Sequence, residues 1–109
     1  MREESDDWPL PEARLQAVLW RAEGHFERRE YFAASRALEE AFGLGSEPER
    51  VRGLHHLAAA GYKAQTGDPA RARRQLAHAR RRLAAFPDAA PLLSDVERDV
   101  VESAGGELA

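Results

Sequence analysis

The chain has 109 residues, a net charge of −3 and no cysteine, enough for one domain with one modest core. The missing cysteine excludes disulfides, thiolate metal sites and cysteine nucleophiles, and it fits a reducing cytoplasm. No apolar run approaches the roughly 18 residues of a membrane span, and Met1–Asp7 is acidic where a secretion signal would be basic and then apolar.

Residues 1–8 are expected to form a flexible acidic tail, 9–104 a single helical domain, and 105–109 a flexible end. Trp8-Pro9-Leu10-Pro11 punctuates the entry to a first helix over about 11–28, whose stripe is Leu15, Val18, Leu19, Ala22 and Phe26. Trp20 lies off that stripe, and its size predicts cover from the fifth helix or from a second subunit in a homodimer. A second helix is expected over about 30–43, with Tyr31, Ala34, Ser35, Leu38, Ala41 and Phe42 inward and a stop at Gly43-Leu44-Gly45. Ser46 reads as the N-cap of a third helix reaching about 66, with Val51, Leu54, Leu57, Ala58, Gly61 and Tyr62 apolar. Its small-residue centre, Ala58–Gly61, lets neighbours approach from several sides and places it centrally. Gly67, Asp68 and Pro69 end that helix and open a fourth, striped with Ala72, Leu76, Ala79, Leu83 and Phe86. A fifth helix over about 89–103 uses Leu92, Leu93, Val96 and Val100. No segment alternates with period two, so the class is all-α: a compact bundle of about five antiparallel helices.

Two stretches repeat. Tyr31-x-x-Ala34-x-x-x-Leu38-x-x-Ala41 returns as Pro69-x-x-Ala72-x-x-x-Leu76-x-x-Ala79, 38 residues on. That period, with small residues where helices touch, gives the bundle helical-hairpin (TPR-like) repeat character.

The run from Phe26 to Phe42 resembles the prokaryotic family called domain of unknown function 309, whose members read F-N-x-G-x-(Y/F)-(F/Y)-E-A-H-E-x-L-E-x-x-W. A second family pattern, G-L-I-Q-x-A-x-A-x-x-H-x-x-x-G-N-x-x-G-A, is similar to Gly53–Lys63 followed by Gly67, Asp68 and Ala72. The resemblance spans about residues 24–101 and implies a small all-α bundle of unassigned function. It also implies two lost histidines, because the family positions fall on Ser35 and Lys63, and only Glu39 remains of the first acidic set.

Several polar groups are candidates. Ser35 and Glu39 share a face of helix two, and with His56 and Lys63 they define a possible ligand pocket between helices two and three. Lys63, the single lysine, is expected to pair with Glu39 and to replace a lost cation. His55 reads as a packed imidazole with one hydrogen bond, His56 as facing Arg52 and Lys63, and His25 and His78 as isolated surface residues. A serine and one carboxylate are a poor donor set, so no metal or cofactor is expected. Arg71, Arg74, Arg81 and Arg82 mark an anion-binding face on helix four, which otherwise reads as a solvated outer surface. Nucleic acid is disfavoured as a partner because no recognition motif or aromatic interleaving accompanies the arginines. The abundance of arginine over lysine reads first as the coding bias of a high-GC bacterium.

No nucleophile elbow, phosphate loop or zinc-protease motif occurs. The first expectation is therefore a non-catalytic binding or scaffolding module acting through its surface, on a protein partner or as a homodimer. The alternatives are a small enzyme or ligand-binding protein using the pocket, and an anionic-partner or nucleic-acid binder using the arginine face of helix four.

Overall fold

A computed structural model describes residues 11–45 and 47–105; the expected tail at 1–8, most of the C-terminal end and the Ser46 cap lie outside them. The helices are α1 (Pro11–Glu27), α2 (Tyr31–Glu39), α3 (Pro48–Gln65), α4 (Pro69–Leu83) and α5 (Ala90–Ser103), with a 3-10 turn at Pro87–Ala89 before the last. Among the described residues there is no strand, and the fold is an all-α helical bundle. The position before α3 is held by Glu47, which makes no side-chain cap. Helix α2 is shorter than its periodicity suggests. After Glu39 the chain tightens, with Glu40 N–H on the Ala37 carbonyl and Ala41 N–H on the Leu38 carbonyl. The regular projection ends there, and Phe42 turns outward, 50 % exposed, rather than into the core.

The repeat extends to the turns. α1 and α3 end, and α2 and α4 begin, at the same offset of 38 residues. In the first turn the His25 carbonyl accepts from Glu30 N–H at 2.8 Å; in the second the Lys63 carbonyl accepts from Asp68 N–H at 2.9 Å. Both are the six-to-one closure of a Schellman turn, which needs a left-handed residue inside it. Gly67 fills that place with φ +83°, and Arg29 fills its counterpart with φ +59°. A side chain there costs about 1 kcal/mol relative to glycine. Asp68 accepts from the backbone N–H of Arg71 at 3.2 Å and caps α4, as the sequence predicts. Glu30, at the matching position, caps nothing; its carboxylate instead takes the His25 ring at 2.7 Å and Arg28 Nε at 3.1 Å.

α3 packs against α2, α4 and α5, which makes it the central helix. The small residues permit this. A Cβ on Gly61 would lie 2.5 Å from the Tyr31 ring, and one on Gly53 would lie 2.6 Å from Leu83. The repeated positions Ala34, Leu38, Ala41, Ala72, Leu76 and Ala79 are all buried. Each buried leucine among them contributes on the order of 2 kcal/mol.

One polar tie joins the first turn to the last helix. Tyr31, 1 % exposed, donates its hydroxyl to Oδ2 of Asp99, while Arg29 Nη2 lies 3.3 Å from Oδ1 of the same carboxylate. The backbone carbonyl of Arg29 also accepts from Gln65 Nε2 at 2.8 Å. Burial first, and the bond and charge of Asp99 second, push the Tyr31 phenol well above the ordinary range.

Candidate functional site

The α2–α3 face brings together Ser35, Glu39 and His55. His55 Nε2 is 3.1 Å from Ser35 Oγ and 3.2 Å from Glu39 Oε2. Both partners meet the same ring nitrogen. A nucleophile relay needs one nitrogen on the hydroxyl and the other on the carboxylate, so this cluster lacks that geometry. His55 is thus held by two polar partners and by the Phe42 ring, 5.1 Å away edge-on, rather than by one hydrogen bond. Glu39 is paired with His55 and, at 3.5 Å, with Arg36; the expected Lys63–Glu39 pair is not formed.

His56 faces α4 instead of Ser35. Its Nδ1 is 2.7 Å from Gln75 Oε1, which accepts, and its ring stacks on His78 at 5.0 Å. His78 is therefore not isolated, and neither is His25, which meets Glu30. Of the expected pocket residues, Ser35 and Glu39 thus meet on the α2–α3 face while His56 turns to α4. A signal for His55 was present: Val51, His55 and Tyr62 fall on one stripe, and Tyr62 packs on Phe32 of α2 at 5.4 Å.

A cleft of about 420 Å³ does open beside this face, between the end of α2 and the first two turns of α3. His56 borders it; Ser35, Glu39 and Lys63 do not. Its walls are Phe42, Val51, Arg52, His55 and Arg82.

A larger groove of about 540 Å³ runs between α1, α3 and the start of α5. Leu19, Phe26, Leu54 and Leu92 supply apolar lining, and Glu23, Glu47 and Asp88 supply carboxylates. Arg50 ties two of these, with Nε 2.7 Å from Glu47 and Nη1 2.7 Å from Asp88, and its guanidinium lies 4.6 Å from the Phe86 ring centre. The Arg50 bond holds the Asp88 carboxyl below its usual range, and Asp88 in turn raises the guanidinium. Trp20 stands at this groove, 79 % exposed. The expectation that the fifth helix covers it is overturned: α5 stays on the far side of the opening, packed on α3 and α4.

The arginines of α4 are partly spent within the chain. Arg80 meets Glu97 at 2.5 Å, Arg82 meets Glu49 at 2.8 Å, and Arg71 lies 3.7 Å from Asp68. Arg81 donates to His78 Nδ1 at 2.7 Å, and among the described residues Arg74 enters no ion pair. Desolvation first, and the nearby charges of Arg81, His56, Arg82 and Arg74 after it, lower the His78 pKa. Among the described residues no three His, Asp or Glu side chains converge in a metal-binding group, and no helix is long and apolar enough to cross a membrane. Comparison with family models, with curated proteins and with solved structures yields no match.

Proposed function

We propose that the chain is a non-catalytic helical binding module, set in the cytoplasm, that receives a segment of a partner protein in the groove between α1, α3 and α5. The observation that carries this reading is Trp20, a tryptophan 79 % exposed at the groove. Tryptophan at the edge of an apolar recess is the residue type that most often anchors an interface, because it buries a large area at low entropic cost. The three carboxylates of the groove outnumber its arginine, so the favoured partner segment carries an apolar anchor beside a lysine or arginine. The one nitrogen shared by Ser35 and Glu39 at His55 supports a non-catalytic role. The resemblance to domain of unknown function 309 is kept as a proposal about ancestry and adds no activity.

Selection from a displayed peptide library tests the reading. Enriched peptides should pair an apolar side chain with a basic one, bind the wild-type chain, and lose at least about tenfold in affinity to Trp20→Ala. Peptides indifferent to Trp20→Ala would overturn it. Sedimentation at high concentration covers the homodimer alternative, in which a second copy seats on Trp20 and the same substitution returns the chain to monomer.

A further inference from the structure

We propose that the cleft between the end of α2 and the start of α3 is a second, separate site, built for a small anion carried on a flat apolar body, of the aryl phosphate type. Three observations converge. The cleft holds about 420 Å³, the volume of a small ligand rather than of a peptide. Its bordering side chains include Arg52, Arg82, His55 and His56 and no carboxylate, an imbalance that the chain's overall net charge of −3 makes unexpected. The aromatic wall is Phe42, half exposed, and the buried Val51 adds to the apolar lining.

Charge accounting singles out one residue. Arg82 is satisfied by Glu49 at 2.8 Å, and His55 leans on Glu39 at 3.2 Å. Arg52 is exposed and enters no ion pair among the described residues, so its guanidinium is the cation left for a ligand. A guanidinium grips a phosphate through paired N–H donors, a geometry that a compact ammonium lacks. The first turn of α3 also borders the cleft at Pro48, and its positive dipole end adds to the same field. Phe42 reaches this place only because α2 stops early and the turn swings the ring outward. The same feature that removed Phe42 from the core makes it a stacking surface.

Phenyl phosphate, inorganic phosphate and phenol are the probes, followed through the imidazole resonances of His55 and His56 in nitrogen-edited NMR spectra of the full chain. Phenyl phosphate should shift both rings with a dissociation constant below about 1 mM, at least about tenfold tighter than either of the other two. Arg52→Gln should weaken it at least about tenfold, while Arg73→Gln, on α4 away from the cleft, should change it less than about twofold. Phe42→Ala should erase the advantage of phenyl phosphate over inorganic phosphate. Absence of ring shifts at about 10 mM phenyl phosphate would overturn the site. So would equal losses for Arg52→Gln and Arg73→Gln, which would mean a diffuse positive field, or equal binding of phenol, which would mean an apolar crevice. None of these outcomes touches the groove at Trp20.

Discussion

The contact between Gly61 and Tyr31 offers the sharpest test of the packing. Replacing glycine by alanine inside a helix ordinarily gains about 1 kcal/mol. At position 61 the added methyl would sit 2.5 to 2.7 Å from three atoms of the Tyr31 ring. That ring cannot easily move: Phe26 lies against it edge-on at 6.0 Å, and its hydroxyl is bound to Asp99. Overpacking of this kind costs about 1–3 kcal/mol, and a ring fixed at both ends belongs at the top of that range. The net expectation for Gly61→Ala is a loss of about 1–2 kcal/mol, or a midpoint roughly 5–10 °C lower. Gly24→Ala is the internal reference. Its new methyl meets only the tip of Arg28 at 3.6 Å, so it should stabilise by about 0.5–1 kcal/mol. In a Tyr31→Ala background, Gly61→Ala should turn stabilising, because the methyl then enters the vacated space. Urea denaturation of the four variants and wild type, followed by circular dichroism, gives each quantity. A Gly61→Ala variant as stable as Gly24→Ala would refute the account of how α2 and α3 approach.

Arg29→Gly should be more stable than Arg29→Ala by about 1 kcal/mol, since both lose the Asp99 pair and only the first relieves the left-handed backbone; equal denaturation midpoints would contradict this. Asp68→Ala should cost about 1 kcal/mol through loss of the α4 cap, read as a lower midpoint at constant slope. Asp99→Ala leaves the buried Tyr31 hydroxyl without its acceptor and should cost about 1–3 kcal/mol. The raised phenol pKa adds a pH signature. The folded state holds that proton more tightly than the unfolded one, so the contribution is complete below the ordinary tyrosine value of about 10 and is lost as pH rises beyond it. Tyr31→Phe should flatten the alkaline limb of the stability profile, and an unchanged limb would sink the assignment.

The helices were legible because their stripes are regular: Leu15, Val18, Ala22 and Phe26 on one and Ala72, Leu76, Ala79 and Leu83 on the other are buried, with Leu19 partly so. The junction at Gly67 was legible too, since glycine, aspartate and proline each carry a local conformational preference. Its counterpart Arg29 falls between the first two expected helices, but arginine gives no local sign of a left-handed backbone. The tie that holds it, through Asp99, is 70 positions away in sequence. Phe42 was misread because periodicity assumes that the helix continues, and α2 ends three residues earlier. His55 was read from its own helix alone. Which carboxylate it meets depends on how α2 lies across α3, and tertiary placement of that kind leaves no mark within a single stripe. Trp20 was expected under cover for a sound reason of size, but size does not say where α5 lies.

The link from Arg29 and Tyr31 to Asp99 also bears on how the groove at Trp20 can change width. α1 and α5 form its two sides, and the link fastens the chain just beyond the end of α1 to the latter half of α5. Beyond it, Arg50 of α3 holds the exposed Asp88, just before α5, so that bond ties α5 to α3 and leaves α1 out of it. The two sides of the groove are therefore held together like tongs at one end, where Tyr31 meets Asp99, and α5 is steadied separately against α3. Raising ionic strength weakens the Arg50–Asp88 bond and loosens the start of α5 from α3, while the Tyr31–Asp99 bond keeps the far end at its spacing.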